Sequence, residues 1–188
     1  MIHLDSNIFA PGSEIPVNLV SPDFSDTPLV EEYLLSAGWE RGVGLLLLGP
    51  SGSGKTTLGM AVLKAIHSLY PVEMIYWNEH DFLADLRNLW RMEDMTQKFA
   101  RDDVLWAEYM DWERTFWTMK TAPFLFFDHA CRGYTPMHNY EVENMLRLRE
   151  SQSLPTIVAS QDGLWDNAPF GLTSVIERNS LKIRLKGR

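Results

Sequence analysis

The sequence has one cysteine and no long apolar run. A single thiol, Cys131, excludes an intramolecular disulfide framework. No segment reaches the roughly 18 apolar residues of a membrane-spanning helix, and residues 1–6 lack the basic and apolar regions of a secretory signal. We therefore expect a protein without membrane contact in a reducing compartment, which is the cytoplasm of a cell, or of a host cell if the gene is viral.

Positive charge is also scarce. Seventeen Lys and Arg face twenty-five Asp and Glu, which gives a net charge of −8. Proteins whose main activity is tight, non-specific DNA binding carry a basic surface, so this class is excluded, although a local basic patch is not. At 188 residues one domain is expected. Most of the seven tryptophans are expected in the core or at an interface, because so many exposed indoles would reduce solubility.

The most informative motif is a glycine-rich segment that fits the phosphate-loop pattern Gly-x4-Gly-Lys-Ser/Thr. An apolar run at 43–48 predicts a strand before it, and residues 55–69 predict a helix after it, so backbone N–H groups would surround a phosphate. Lys55 would supply charge to the β and γ phosphates of ATP, and the Thr56 hydroxyl would hold Mg²⁺. A glycine turn without a ligand is the alternative, and it leaves Lys55 unexplained. The predicted nucleotide-binding residues here are Gly49, Pro50, Ser51, Gly52, Ser53, Gly54, Lys55, Thr56 and Thr57.

The remaining chain alternates predicted strands and helices. Residues 1–28 contain four prolines and predict an irregular N-terminal arm. Such alternation predicts an α/β fold with a five-stranded parallel sheet and helices on both faces. The stretch 91–103 is charged and is expected to connect two helices. Predicted strands are 43–48, 72–77, 123–128, 155–160 and 181–185, and predicted helices are 29–38, 55–69, 80–90, 105–119, 140–150 and 171–178.

A second candidate site is the apolar strand that ends in Asp128. A carboxylate at the end of such a strand lies beside phosphate-bound Mg²⁺ in phosphate-loop proteins, and this strand follows the loop by some 75 residues. Asp128 is therefore predicted as a metal residue together with Thr56. The alternative is a carboxylate that only caps the next turn.

The phosphate loop, this strand and the tail from Ser174 onward resemble the DnaC/IstB group of AAA+ ATPases, which contains replicative-helicase loaders and transposition helper ATPases. The resemblance runs from about Leu29 to the C-terminus. It implies a three-layer, AAA+-like P-loop ATPase domain over residues 29–188 with no C-terminal lid domain. It further implies a homo-oligomer that acts on a replicative helicase or another nucleoprotein partner in DNA replication, with ATP and Mg²⁺ as cofactors.

The same resemblance implies roles for individual residues. Gln161, or Ser160 beside it, would sense the γ-phosphate after the fourth strand. Asn78 matches a polar residue that restrains the acid of the Asp128 strand. Arg178 matches the arginine finger that reaches into a neighbouring subunit's site. His129 stands where the water-activating acid is expected, so ATP hydrolysis is expected to be slow.

Two other functions stay open. A small-molecule P-loop kinase would suit the length, but no arginine-rich lid is evident in the sequence. A nucleotide-gated adaptor with little hydrolysis, such as a transposition helper, is favoured by His129. The arm at 1–28 is too short for the helicase-binding domain of DnaC, so partner contacts are expected elsewhere.

Two further segments have both a functional and a purely structural interpretation. Lys182, Arg184 and Lys186 would share one face of the last strand, either as a solvated edge or as a contact for single-stranded DNA or an acidic partner. The helix that carries Trp106, Trp112 and Trp117 is interpreted as core packing in preference to a docking surface.

Overall fold

The computed structural model describes residues 28–98, 103–131 and 135–187, in which five strands form one sheet. The predicted arm lies outside the described residues except for Pro28, which begins the first helix. The strands are β1 (Gly44–Leu48), β2 (Met74–Asn78), β3 (Phe124–Ala130), β4 (Thr156–Ser160) and β5 (Ser180–Arg184). The helices are α1 (Pro28–Leu35), α2 (Lys55–Leu69), α3 (Glu79–Lys98), α4 (Asp103–Thr121), α5 (Pro136–Ser151), α6 (Asp162–Trp165) and α7 (Phe170–Arg178), with a 3₁₀ helix at Gly38–Arg41.

The structure departs from the predicted elements mainly in α3. The stretch 91–103 was expected to be a connector, but α3 continues through most of it to Lys98. The reason is that the buried Met92 extends the apolar side of the helix beyond Leu86 and Leu89. The short helix α6 was not predicted, because four residues carry too little periodicity to be recognised.

All strand pairs are parallel, and the strand order is β2-β3-β4-β1-β5. Leu48 at the end of β1 pairs with Ser160 of β4, and Asn78 of β2 pairs with Asp128 of β3. Because the carboxyl ends of parallel strands lie on the same side of the sheet, the segments that follow β1, β3 and β4 meet there. The predicted α/β fold with a five-stranded parallel sheet is thereby confirmed, and β5 is the last element in the described part of the chain.

The two faces of the sheet are covered by different helices. Alternate residues of the strands point to opposite faces, so Leu46 belongs to a core cluster with residues of α3, α4, α5 and α7, whereas Leu47 belongs to a cluster with residues of α1 and α2. Helix α2 approaches the sheet closely at Gly59, where a Cβ atom would lie 2.4 Å from the Phe126 ring. The result is the predicted three-layer arrangement.

A buried arginine joins α4, α5 and β4 on one of these faces. Arg149 of α5 is fully buried and donates hydrogen bonds to the carbonyl groups of Met119, Ala122 and Pro155 at 2.8–3.1 Å. Its Nε also donates to the Thr156 hydroxyl at 2.9 Å. Burial lowers the pKa of Arg149 to about 9, although carbonyl acceptors at these distances favour the charged form. This side chain therefore satisfies carbonyl groups where α4 ends, which would otherwise lack donors.

Of the seven tryptophans three are buried, two are half-buried and two are exposed. Trp39, Trp77 and Trp165 are buried, as expected. The prediction that the α4 tryptophans belong to the core is wrong for Trp106 and Trp117, which are 56% and 60% exposed. The reason is that Phe116 and Met119 already fill the buried side of α4, and both indoles stand away from it. None of the helices in the described ranges is long and apolar enough to cross a bilayer.

Candidate nucleotide site

The glycine-rich segment after β1 forms a loop around its own lysine. The Lys55 ammonium donates hydrogen bonds to the carbonyl oxygens of Gly49 at 2.9 Å and Pro50 at 2.7 Å. Gly54 precedes α2 with a φ of 89°, a conformation that favours glycine, and α2 begins at Lys55. The amide groups of the first turn of α2 therefore point toward the loop, where an anion is stabilised by the helix N-terminus.

The inside of this loop has room for a ligand group. A Cβ atom built on Gly52 or Gly54 would meet no atom within 4 Å. Gly52 also has a left-handed φ of 77°. Because the second and third glycines of the loop border open space, a phosphate can approach their backbone amides without displacing protein atoms.

Asp128 lies beside the loop and receives three hydrogen bonds. Its Oδ2 accepts one from the Thr56 hydroxyl at 2.7 Å and one from the Tyr76 hydroxyl at 3.1 Å. Its Oδ1 accepts the His129 amide at 2.8 Å. The carboxylate is 1% exposed, so these donors replace water around its charge. Burial, followed by the negative charge of Asp128, raises the pKa of Tyr76 well above its ordinary value, which keeps that hydroxyl protonated as a donor.

The pair formed by Thr56 and Asp128 fits Mg²⁺. A hydroxyl and a carboxylate are hard oxygen ligands of the kind that Mg²⁺ prefers together with phosphate oxygens. The two side chains come from segments 72 residues apart in sequence and are in direct contact. A bound Mg²⁺ would neutralise phosphate charge at this position.

His129 lies near the end of β3, where the strand register is irregular and two side chains from neighbouring elements hold the backbone. His129 and Cys131 have left-handed φ values of 60° and 73°, which cost non-glycine residues roughly 1–2 kcal/mol each. The fully buried Glu79, directly after β2, accepts the Cys131 amide at 2.8 Å. The Ser160 hydroxyl donates to the Ala130 carbonyl. These contacts hold the His129 imidazole, which is 39% exposed, with its Nε2 at 3.7 Å from Asp128 Oδ2.

Asn78 and Gln161 lie at the same carboxyl ends of the strands as Asp128. Asn78 is the register partner of Asp128, but its side-chain oxygen accepts the His80 amide at 2.8 Å and so caps the start of α3. Gln161 follows β4, between the strands that lead to Asp128 and to the phosphate loop, and it is half-buried. Its neighbour Ser160 is committed to the Ala130 carbonyl. The γ-phosphate sensor therefore stays a prediction, with Gln161 the more available of the two side chains.

Arg178 lies at the amino ends of the strands, opposite the carboxyl ends where the phosphate loop is. It ends α7 just before β5, whose first residue Ser180 pairs with Gly44 at the start of β1. The five residues of β1 separate it from the phosphate loop by roughly 15 Å. Its guanidinium is exposed and forms an ion pair with Glu150 at 3.5 Å. Arg178 therefore cannot reach the nucleotide site of its own chain, but it can reach another molecule.

The basic residues at the end of the chain are partly paired. Lys182 contacts Glu177 at 2.7 Å, and Arg184 contacts Asp162 at 3.0 Å. Lys186 is exposed beyond the end of β5. Because β5 is an edge strand, this pattern suits a charged edge as well as a contact surface.

Sequence interpretation found no role for Tyr76, and it considered Glu79 only as a possible base, together with Glu141 and Glu143, in place of His129. Tyr76 sits in an apolar strand, and its only signal is a hydroxyl two residues before the strand ends. Glu79 directly follows Asn78 and would pass for an ordinary acidic residue in the first turn of a helix. Tyr76 contacts Asp128 of β3, and Glu79 contacts Cys131 directly after β3. Each partner is 52 positions away in sequence, a relation that only the strand register reveals.

Solved structures match this arrangement over most of the chain. The crystal structure of the DnaC helicase loader aligns with a TM-score of 0.61 at 16% identity, covering 85% of this chain and 87% of that one. Domain III of the Thermotoga maritima replication initiation protein DnaA aligns with a TM-score of 0.62 at 17% identity, over 89% and 64% of the two chains. The chain has a P-loop fold of the AAA+ type.

A third match carries a bound nucleotide. The replication initiator DnaA bound to AMPPCP and single-stranded DNA aligns with a TM-score of 0.61 at 17% identity, and the match covers 91% of this chain but 49% of that one. No protein-family model matches the sequence, and no curated protein matches it. The likeness at these identities is one of fold.

Proposed function

We propose that this protein is an ATP-binding ATPase of the helicase-loader class, which acts on a replicative helicase or another nucleoprotein partner in DNA replication. The observation that carries the proposal is the contact between Thr56 and Asp128 beside the phosphate loop. It supports a site for a nucleoside triphosphate with Mg²⁺ in a fold similar to those of the DnaC loader and of DnaA domain III.

In the proposed cycle each residue has a separate task. Lys55 and the loop amides bind the phosphates, Thr56 and Asp128 hold Mg²⁺, and Gln161 contacts the γ-phosphate. His129 accepts a proton from the attacking water, which its half-exposed position beside Asp128 permits. Arg178 stabilises charge in the site of a neighbouring subunit, since it lies too far from its own.

Nucleotide binding is tested by thermal unfolding with and without ATP and Mg²⁺. Ligand at about 100 times its Kd adds roughly 2.7 kcal/mol, and each kcal/mol raises the Tm of a domain this size by about 2–4 °C. We expect a rise of roughly 5–11 °C, its loss in Lys55→Ala, and its retention in Lys64→Ala, a lysine of α2 outside the loop. Millimolar ATP or ADP that leaves the Tm unchanged would refute the site.

Partner identity is tested by capture from the native host on the immobilised protein, with AMPPCP or without nucleotide. Nucleotide-dependent recovery of a replicative helicase is the expected outcome, with Lys55→Ala as the control that recovers none. Recovery of a transposase in its place would support the adaptor.

The kinase alternative makes a different prediction. A small-molecule kinase transfers the γ-phosphate to a metabolite, whereas a loader ATPase releases inorganic phosphate at a rate that depends on assembly. A rate of phosphate release per protein molecule that rises with protein concentration favours the loader. Assembly with ATP but without phosphate release favours a nucleotide-gated adaptor, which the histidine at position 129 also suits.

A further inference from the structure

One oxygen of the Asp128 carboxylate receives two hydroxyl groups. Its Oδ2 accepts the Thr56 hydroxyl from the first turn of α2 at 2.7 Å and the Tyr76 hydroxyl from β2 at 3.1 Å. A carboxylate oxygen offers about two lone pairs, so these two donors fill it. In the proposed function Thr56 is a metal ligand, whereas Tyr76 has no task.

Packing in the core does not require the Tyr76 hydroxyl. The residue is 7% exposed, and its ring lies edge-on to the Phe126 ring with 5.3 Å between the ring centres. A phenylalanine ring at this position would make the same contacts. Among the described residues, the hydroxyl forms its hydrogen bond with Asp128, which is 52 positions away in sequence. The hydroxyl group therefore serves Asp128 and not the apolar core around the ring.

The two donors differ in how firmly they are held. Thr56 directly follows the phosphate-loop lysine, and its oxygen has to serve Mg²⁺ and the nucleotide as well as Asp128. Tyr76 lies inside β2, where its backbone is in register with Phe126 of β3, and its hydroxyl has no second task. Tyr76 is therefore the side-chain donor that can stay on Asp128 when the site is loaded.

The burial of Asp128 makes this donor important. Asp128 is 1% exposed, so water cannot replace a missing donor to its Oδ2. Without the Tyr76 hydroxyl, this oxygen would depend on Thr56 alone. Recruiting Thr56 as a metal ligand would then draw it away from a buried, charged acceptor, which is unfavourable. The loss would weaken the metal-bound state and would leave the binding of metal-free nucleotide unchanged.

We propose that Tyr76 is a positioning residue of the nucleotide site, which holds Asp128 through Oδ2 and thereby sets how strongly nucleotide binding depends on Mg²⁺. The inference rests on the proposed function, since it concerns the metal of the same site. Tyr76 itself touches neither the metal nor the phosphates. Its effect passes through Asp128, so it appears only when Mg²⁺ is present.

The test measures the Kd of AMPPCP for the full chain by isothermal titration calorimetry, once with Mg²⁺ and once with EDTA. The Kd in EDTA divided by the Kd in Mg²⁺ gives the metal dependence of binding. Tyr76→Phe should lower this ratio about tenfold, since the partners of a metal-holding group typically contribute at least that much to metal affinity. Its Kd in EDTA should stay within about twofold of the wild-type value, because Lys55 and the loop amides are intact.

Tyr33→Phe is the matched control. Tyr33 is 4% exposed, and its hydroxyl donates to the Val43 carbonyl at 2.8 Å, just before β1 and so at the amino ends of the strands. Both phenylalanine variants lose a buried hydroxyl and should show a similar decrease in Tm, but Tyr33→Phe should keep the wild-type ratio. Asp128→Asn should lower the ratio by itself, and adding Tyr76→Phe should change it by less than about twofold, since both act through one contact.

Three outcomes would contradict the role of Tyr76. A wild type whose binding depends on Mg²⁺, with an equal ratio in Tyr76→Phe, would overturn this inference and leave the proposed function standing. An equal fall of the ratio in Tyr33→Phe would assign the effect to lost stability and would also overturn it. A wild type that binds AMPPCP equally well in Mg²⁺ and in EDTA would overturn the metal site itself, and the proposed function with it.

Discussion

The carboxylate of Glu79 accepts a hydrogen bond from the Cys131 amide at 2.8 Å, across the carboxyl ends of β2 and β3. This bond fixes the backbone directly after β3, next to His129, whose left-handed backbone is otherwise unfavourable. A residue outside the phosphate loop and outside the Asp128 strand thus controls how the histidine is presented to the site.

Glu79→Ala and Glu79→Gln should separate positioning from proton transfer. The alanine variant loses the acceptor, so we expect kcat for ATP hydrolysis to fall about tenfold or more while the thermal shift with ATP persists. The glutamine variant keeps a carbonyl acceptor for the Cys131 amide, and it should keep kcat within about twofold. A glutamine variant as inactive as the alanine variant would indicate that Glu79 itself is the proton acceptor.

His129 should limit the rate of hydrolysis. A carboxylate at this position is the usual water-activating group in the AAA+ proteins that the sequence resembles, so His129→Glu should raise kcat, and His129→Ala should lower it. Phosphate release under saturating ATP gives the comparison. Rapid hydrolysis in wild type that is unchanged in His129→Ala would show that another residue activates the water.

Arg178 should act between subunits. Since β1 separates it from its own phosphate loop, Arg178→Ala should bind ATP normally yet fail to hydrolyse it or to assemble. Mixing this variant with Lys55→Ala should restore part of the activity, because some interfaces then combine an intact loop with an intact arginine. Arg147→Ala, an exposed arginine of α5 paired with Glu143, is the matched control. Weaker ATP binding by monomeric Arg178→Ala would argue against the assembly.

Arg149 should be a stability determinant with no part in catalysis. Arg149→Met leaves several buried carbonyl groups without donors, each at about 1–3 kcal/mol, so the free energy of unfolding should fall by roughly 3–5 kcal/mol. Urea unfolding measures the change, and Arg147→Met on the exposed side of the same helix should change it by less than about 0.5 kcal/mol. Equal stability of the two variants would contradict the role assigned to the buried hydrogen bonds.

Cys131 should make stability fall at alkaline pH. Burial, and then the charge of Glu79, raises its pKa from 9.0 to about 12. Between these values the folded state keeps a proton that the unfolded chain releases, so stability is lost as pH rises through this window. Urea unfolding at pH 8 and pH 10.5 measures the change. Between these two pH values the free energy of unfolding of wild type should fall by up to roughly 2 kcal/mol more than that of Cys131→Ala. A thiol that reacts equally fast with disulfide reagents in folded and unfolded protein would contradict this burial.

Local pattern was sufficient for most of the elements, and it predicts the phosphate loop as the first half of the candidate site. The apolar run before Gly49 and the glycine-lysine spacing after it are contiguous in sequence, so they predict a strand, a loop and a helix without knowledge of the rest. Asp128 was predicted in the same way, because an acid at the end of an apolar strand is visible in a few residues. The extent of α3 was missed, because the apolar side of this helix is obscured by its many charged residues.

Tertiary structure decided the partners of those residues. Strand order brought Tyr76 to Asp128, and Glu79 directly after β2 to Cys131. It also placed Arg178 at the amino ends of the strands, opposite the phosphate loop. The packing of α4 determined which of its apolar residues face the core, leaving Trp106 and Trp117 in solvent. Helical and strand periodicity specifies which residues share a side of an element, but neighbouring elements decide whether that side is buried. Strand register determines which distant residues become neighbours.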